Sequence, residues 1–522
     1  MSASTPADNI GAIGADVATL PSRHTGLLMV AVMGVSICQF LDLTIANVAL
    51  PHMKTSLGAS IDSISWVLTS FIIAGVIVLP LTGWLSDRIG SRTLFLGATA
   101  LFVVSSMLCG AATTLGQMVV FRALQGAASA FIGPLSQTIV VDINRPSRQA
   151  TAISLWGMGV MIAPISGPFI GGFLTETLNW RWVFYINLPI GLPALAILWW
   201  QLPSRPRIGR RLDVFGAVVL GLGLCTLQLM LDRGERHDWF QSKETVFELI
   251  FALSAFWIFW IHTRSVANPL FDGSMVRDRN FRVALVFMVV LGVANIALAS
   301  VLPTMFQTVY GYGVMDTGLL LAPRGCGVFI TMLLANRLIK RVDVRFLIAV
   351  GYLIAAGSMW TMTGWSLDMG RDQIILSGFV QGLGMGLVFV PVNLIALSTL
   401  TPRLRTDGMT LMMLCRNLSS SVGISVIVTI LSHNTRTSHA DIAATITSFN
   451  LPIDPASTTA ILGDMGGAAL AMVDGEISRQ AAMIAYLDDF YMMFWLVLCV
   501  VPLSFLLRRP RLSGGRQPVQ TE

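Results

Sequence analysis

Long apolar runs follow one another along almost the whole chain, separated by short polar segments. A helix needs about 20 apolar residues to cross ~30 Å of hydrocarbon. Fourteen stretches meet that length: 26–50, 64–83, 93–112, 116–142, 150–174, 183–201, 213–231, 245–263, 282–304, 315–337, 346–366, 373–400, 406–431 and 487–507. Within lipid every backbone polar group must be satisfied internally, and runs this long are met by helices. The pattern predicts an all-α polytopic membrane protein with fourteen transmembrane helices. Composition agrees, with 54% hydrophobic and only 12% charged residues. A soluble domain carries about twice that charge fraction.

The interruptions in the pattern carry the chemistry. Asp42 stands in span one with Gln39 beside it, and Arg122, Arg324 and Arg416 stand inside spans four, ten and thirteen. An ionisable group at membrane depth is expensive and points to function. Further polar residues within or beside the spans, Asn295, Gln307, Asn393 and Asn417, are candidates for lining a substrate cavity or for joining helices by hydrogen bonds. Asp42 and Arg122 have no counterparts in the later spans by sequence, which suggests that the first half handles an ion.

The net charge of +6 does not indicate nucleic acid. With the N-terminus assigned to the cytoplasm, most Lys and Arg fall in cytoplasmic loops, including RPRIGRR (205–211) and RRPR (508–511), as the positive-inside rule requires. Residues 1–25 form a polar tail without a cleavage signature, and span one is expected to act as an uncleaved anchor. The six cysteines are scattered through apolar runs, with neither disulfide nor metal-ligand spacing. No HExxH, P-loop or GxSxG pattern occurs, so neither enzymatic chemistry nor a cofactor is expected.

Two stretches about 256 residues apart are alike. FRALQGAASAFIGP (121–134) matches GFVQGLGMGLVFVP (378–391), and polar loops with Pro and Arg follow, NRPSRQ (144–149) and TPRLRTD (401–407). Upstream, GWLSDRIGSR (83–92) has a degenerate partner in NRLIKRVDVR (336–345). The repeat divides the chain into a six-helix half at 26–203, two inserted helices with linkers at 204–281, and a second half at 282–507 containing an outer loop at 432–486. Residues 508–522 form a cytoplasmic tail.

These motifs resemble the major facilitator superfamily, and among its members the fourteen-span drug:proton antiporters of the EmrB type. The resemblance rests on LDLTIANVALP (41–51), GWLSDRIGSR, the span-four pattern of Arg122, Gln125 and Gly126, GVMIAPISGPFIGG (159–172), NWRWVFYINLPIG (179–191) and RQAAMIAYLDDF (479–490). It covers residues 26–507 and implies two six-helix bundles, related by a pseudo-two-fold axis, plus two central helices. It also implies export of hydrophobic or amphipathic compounds across the bacterial inner membrane, driven by protons. The partners implied are membrane lipid, protons, small substrates, a periplasmic membrane-fusion adaptor of the EmrA type and an outer-membrane channel. A dedicated transporter of one metabolite, lipid or siderophore is the alternative, and a non-transporting membrane scaffold a more distant one.

Roles follow from the motifs. Asp42 and Arg122 are expected to couple protons while facing one water-accessible cavity. Gly83, Asp87, Arg88, Gly90 and Arg92 form the expected gating loop, with Arg88 and Arg92 pairing with Asp142. In the span-five antiporter motif, Gly159, Gly167, Gly171 and Gly172 are expected to let two helices touch, and Pro164 and Pro168 to bend the helix. Gln39, Asn295, Gln307, Arg324, Asn393, Arg416 and Asn417 are expected at the substrate cavity, where Arg324 and Arg416 would favour anionic or proton-dissociating aromatic compounds. The loop assignments give the first prediction. Ser448→Cys, in a background without native cysteines, labels with an impermeant thiol reagent in intact spheroplasts; labelling only after lysis reverses the topology.

Overall fold

The computed structural model describes residues 18–508, apart from 206, 208, 210, 236–238, 340 and 446–465. Among them, thirteen helices are long and apolar enough to cross a membrane. The remaining expected span, 150–174, falls in the 29-residue helix Gln149–Thr177, several of whose side chains lie outside the described residues. Numbered in chain order, the long helices are α1 (Thr25–Ser56), α2 (Trp66–Ile89), α3 (Ser91–Ala111), α4 (Leu115–Ile143), α5 (Gln149–Thr177), α6 (Trp182–Gln201) and α7 (Val214–Arg233). They continue with α8 (Lys243–Ser265), α9 (Arg279–Thr308), α10 (Val314–Ile339), α11 (Val344–Met362), α12 (Arg371–Ser398), α13 (Arg405–Thr445) and α14 (Gly466–Val500).

Local chemistry sets the boundaries. Thr114, Asp213, Asp278 and Asp343 each accept a backbone N–H at the start of α4, α7, α9 and α11. Gly90, at φ 92°, separates α2 from α3 in a conformation that a side chain would strain.

The same helix pairings recur in each half. Helix α1 packs on α5 and α6, α4 on α2 and α3, and α3 on α6. Correspondingly, α9 packs on α13 and α14, α12 on α10 and α11, and α11 on α14. The inserted α7 lies against α8, α2 and α13. Helix α8 turns a row of large apolar side chains outward, among them Phe247, Leu253, Trp257 and Ile261, as a lipid-facing helix does.

One expectation needs correction. Residues 432–486 are not a simple loop, because α13 runs on to Thr445 and α14 begins at Gly466. At 41 residues, α13 is about 60 Å long, twice the hydrocarbon thickness. Asn434 donates to Asp488 at 3.1 Å and His439 meets Asp474 at 3.0 Å, tying the two extensions together. The rest of that segment, 446–465, lies outside the described residues.

Asp489 on α14 is fully buried with neither carboxyl oxygen hydrogen-bonded among the described residues, next to Phe490, whose ring packs on Trp365. An unsatisfied buried acceptor costs ~1–3 kcal/mol. Asp489→Leu is therefore expected to raise the thermal unfolding midpoint of the purified protein. A lowered midpoint would show that the carboxyl is satisfied in the folded state.

Candidate functional site

The two charges at membrane depth in the first half meet. Arg122 Nη1 donates to Asp42 Oδ2 at 2.5 Å, and both side chains have zero exposure. α1 and α4 bring them together because α4 must pass close to its neighbours. A Cβ on Gly126 would run into the backbone of Phe71 on α2, so only glycine permits this approach, one turn from Arg122. On α1, Gln39 donates to the Ser129 carbonyl of α4 at 2.9 Å, one turn from Asp42.

Every remaining bond of the pair is made inside the half. Arg122 Nε donates to the Val67 carbonyl at 3.1 Å, and Nη1 also reaches Gln125 Oε1 at 2.8 Å. The guanidinium carbon lies 4.3 Å from the ring centre of Phe71 and 5.6 Å from that of Phe184, where Nη2 has no hydrogen-bond acceptor among the described residues. Asp42 Oδ1 accepts from Gln125 at 2.9 Å and from Asn187 at 3.2 Å. Asn187 is held in turn by Ser106 at 2.9 Å. One carboxylate thus joins α1, α4 and α6. Among the described residues Asp42 and Arg122 face no water-accessible cavity in this conformation, because rings and amides seal the pair.

The second half carries a related cluster with a different charge. Arg324 of α10 donates through Nε to Gln381 Oε1 at 2.7 Å, and through Nη2 to Asn295 Oδ1 at 2.7 Å and its carbonyl at 3.0 Å. Gly382 seats on the backbone of Arg324 as Gly126 seats on that of Phe71. Gln381 therefore matches Gln125, Arg324 matches Phe71, and Asn295 of α9 takes the place of Asp42. The cation comes from the second helix of the half instead of the fourth, and a neutral amide replaces the carboxylate. Direct comparison of the two stretches hid this, because the charge has moved between helices.

Between the halves, Arg416 of α13 lies 6.0 Å from the ring centre of Phe40 on α1. Its guanidinium makes no hydrogen bond or ion pair among the described residues. Met413 lies against Gly133 of α4, with Gln39 close by. Gln39, Arg416, Asn295 and Arg324 thus sit at buried or half-buried junctions. Asn393 does not, since it is buried and donates to Phe389 of its own helix at 2.8 Å. Its amide nitrogen is thus bound to its own helix. Gln307 and Asn417 are exposed.

In the antiporter motif, a Cβ on Gly167 would strike Thr44, one on Gly171 would strike Ile45, and one on Gly159 would strike Met33. All three glycines therefore seat α5 on α1. Gly172 faces open space and takes no part. The side chains of Pro164 and Pro168 lie outside the described residues.

The gating loop is rearranged relative to expectation. Gly83 faces the Asp407 carboxyl of α13, which a Cβ would meet. Asp142 pairs with Arg205 and with Arg405, the latter at 3.4 Å, and not with Arg88 or Arg92. Arg88 lies over Trp84 at 5.4 Å, and Arg92 donates to the Trp199 carbonyl at 2.5 Å. Asp87 acts through space on Arg205. Positive charge in a loop shows that some cation will be near Asp142; only folding decides which one. These contacts join the first half to the start of α13 and close that end of the bundle.

A family model described as Major Facilitator Superfamily matches residues 32–424. The chain belongs to the major facilitator superfamily. It is 32% identical to the multidrug export protein EmrB of Escherichia coli strain K12, over 94% of this chain and 96% of that protein. It is 34% identical to the fatty acid resistance protein FarB of Neisseria gonorrhoeae, over 91% and 95%. In fold it is similar to the human organic anion transporter MFSD10, with a TM-score of 0.56 at 14% identity over 91% of this chain and 99% of that one. A bacterial homologue of the human lysosomal transporter Spinster gives 0.52 at 15% identity, over 93% and 98%. This superfamily member is a multi-pass membrane transporter.

The glycine contacts supply a paired prediction. Gly167→Leu overpacks the α1–α5 contact and lowers stability by ~1–3 kcal/mol, whereas Gly172→Leu is tolerated. Thermal unfolding of the two purified variants checks this; equal midpoints would remove the packing role of Gly167.

Proposed function

We propose that this transporter exports small hydrophobic or amphipathic compounds, drugs among them, across the bacterial inner membrane in exchange for protons. The carrying observation is the fully buried Asp42–Arg122 pair, confined to one half of a duplicated helical bundle. Relatives named for multidrug export, EmrB among them, support the direction of transport. The positive-inside distribution supports cytoplasmic termini, and with them a closed cytoplasmic gate in this conformation.

The coupling follows from the bonds. Asp42 as a carboxylate accepts from Arg122, Gln125 and Asn187, and so holds α1, α4 and α6 together. A proton arriving from the outside at a carboxyl oxygen of Asp42 cancels its attraction for Arg122. The guanidinium keeps the Val67 carbonyl and Gln125, while α1 is loosened from α4 and α6. That difference between protonated and ionised forms biases the rocking of the halves. Returning to the cytoplasmic-open arrangement, Asp42 gives up the proton and substrate enters. One proton crossing ~100 mV releases about 2.3 kcal/mol, enough for roughly a 50-fold gradient of a neutral substrate. No cofactor is needed for this cycle.

Arg324 and Arg416 favour compounds that are anionic or lose a proton. The name of FarB, a fatty acid resistance protein, is in keeping with an amphipathic acid. The paired extensions of α13 and α14 project from the outer face, where a membrane-fusion adaptor would dock to lead substrate onward to an outer-membrane channel.

Asp42→Asn keeps size and hydrogen-bonding capacity but cannot cycle a proton. Uphill efflux is expected to collapse while substrate binding and downhill exchange persist. The measurement is substrate-induced proton release from proteoliposomes alongside binding to the purified variant. Full proton-coupled efflux by Asp42→Asn would take Asp42 out of the mechanism.

A further inference from the structure

The linker from α6 to α7 would pass, by composition, for a basic segment anchored at the membrane surface. The structure puts one of its arginines elsewhere. Arg205 pairs with Asp142, at the last turn of α4, and donates from Nη1 to Thr406 Oγ1 at 3.2 Å. Asp142 is fully buried, and its other oxygen meets Arg405. Arg405 and Thr406 open α13 of the second half. The linker thus inserts a cation where the two halves meet, and only 18% of the Arg205 side chain stays exposed. A surface anchor would keep its head in water.

The electrostatics agree with a seat that exists only when the halves close. Burial pushes the Arg205 guanidinium down to about 10, and Arg405 pushes the same way, while Asp87 opposes both. Two cations share Asp142, and the nearby Asp87 helps to balance Arg205. Opening the halves would carry Thr406 and Arg405 away and leave Arg205 with half its partners. The helix at the other end of the linker cannot absorb such movement freely. The outer end of α7 is bonded to α2 through Thr69 and Asp232, and to α13 through Ser425 and the Leu231 carbonyl at 3.0 Å. Further along the linker, Arg207 passes within 3.8 Å of where a Cβ on Gly90 would stand, so the strand also crosses the α2–α3 turn.

We propose that Arg205 is a member of the cytoplasmic gate, so that the linker carrying the inserted helix pair locks Asp142 of the first half to Thr406 of the second. This rests on the orientation proposed above. The inserted helices are then part of the transport cycle, because their leash must leave its seat each time the cytoplasmic side opens. Arg205 acts by positioning the two halves and touches neither substrate nor the coupled proton.

The test reads the gate without substrate or proton flux, so failure of the export reading would leave it intact. Thr410 is buried one turn inside Thr406. In a protein without native cysteines, Thr410→Cys is probed from the cytoplasmic face of inside-out vesicles with an impermeant thiol reagent. Adding Arg205→Gln is expected to speed labelling roughly tenfold or more, because one partner of a buried pair is lost. Adding Arg205→Lys should keep labelling slow, since an ammonium still pairs with Asp142. Unchanged labelling in Arg205→Gln would overturn the proposal. Should that variant fail to insert, charge exchange decides. Arg205→Asp should label fast and Arg205→Asp with Asp142→Arg slowly, and a double variant as fast as the single one would overturn it.

Discussion

The cost of placing a charge in hydrocarbon governs this protein. An isolated carboxylate or guanidinium at membrane depth is tolerated only if it is paired or faces water. Asp42 and Arg122 solve the problem by pairing, and much of the first half is arranged around them. Gly126 lets α4 reach α2, Gln39 ties α1 to α4, and Asn187 brings α6 in. The aromatic faces of Phe71 and Phe184 cover the cation where no acceptor is available. A pair so enclosed is firm while both partners are charged and weak once one is neutralised, the property a proton-coupled cycle uses.

The second half shows that the arrangement is not copied by descent alone. Its framework glycine and glutamine are retained, yet the carboxylate has become Asn295 and the arginine has moved to α10. Neutral amides hold Arg324, so this half keeps a fixed positive charge. In the proposed cycle the two halves divide the work. One carries a charge that a proton would cancel, and the other a charge held by neutral amides.

The proposed gate follows similar rules under looser conditions. At the end of the bundle, water is near and single ion pairs are worth less. Closure accordingly uses several groups, with Asp142 between two arginines and Asp407 seated on Gly83. Such a set is easily opened, as the proposed gate requires.

Hydrophobic run length by itself determined the helical class and the positions of the long helices, thirteen of them long and apolar enough to cross a membrane among the described residues, because crossing hydrocarbon admits few alternatives. Isolated charges marked Asp42 and Arg122, since lipid leaves no harmless place for them, and Gly90, Gly167 and Gly171 were legible as sites of turning or close approach. Tertiary structure alone decided which partners these residues meet. Asp142 takes Arg205 and Arg405 in place of Arg88 and Arg92, Asn393 turns back on its own helix, and Gly172 faces open space. Sequence also left the length of α13 hidden, because the polar extension to Thr445 reads as a loop once hydropathy ends. The physical reason is one of range. Desolvation penalises each residue where it stands and so leaves its mark on the local sequence, whereas the choice of partner depends on helix rotation and depth, which arise only when all the helices pack.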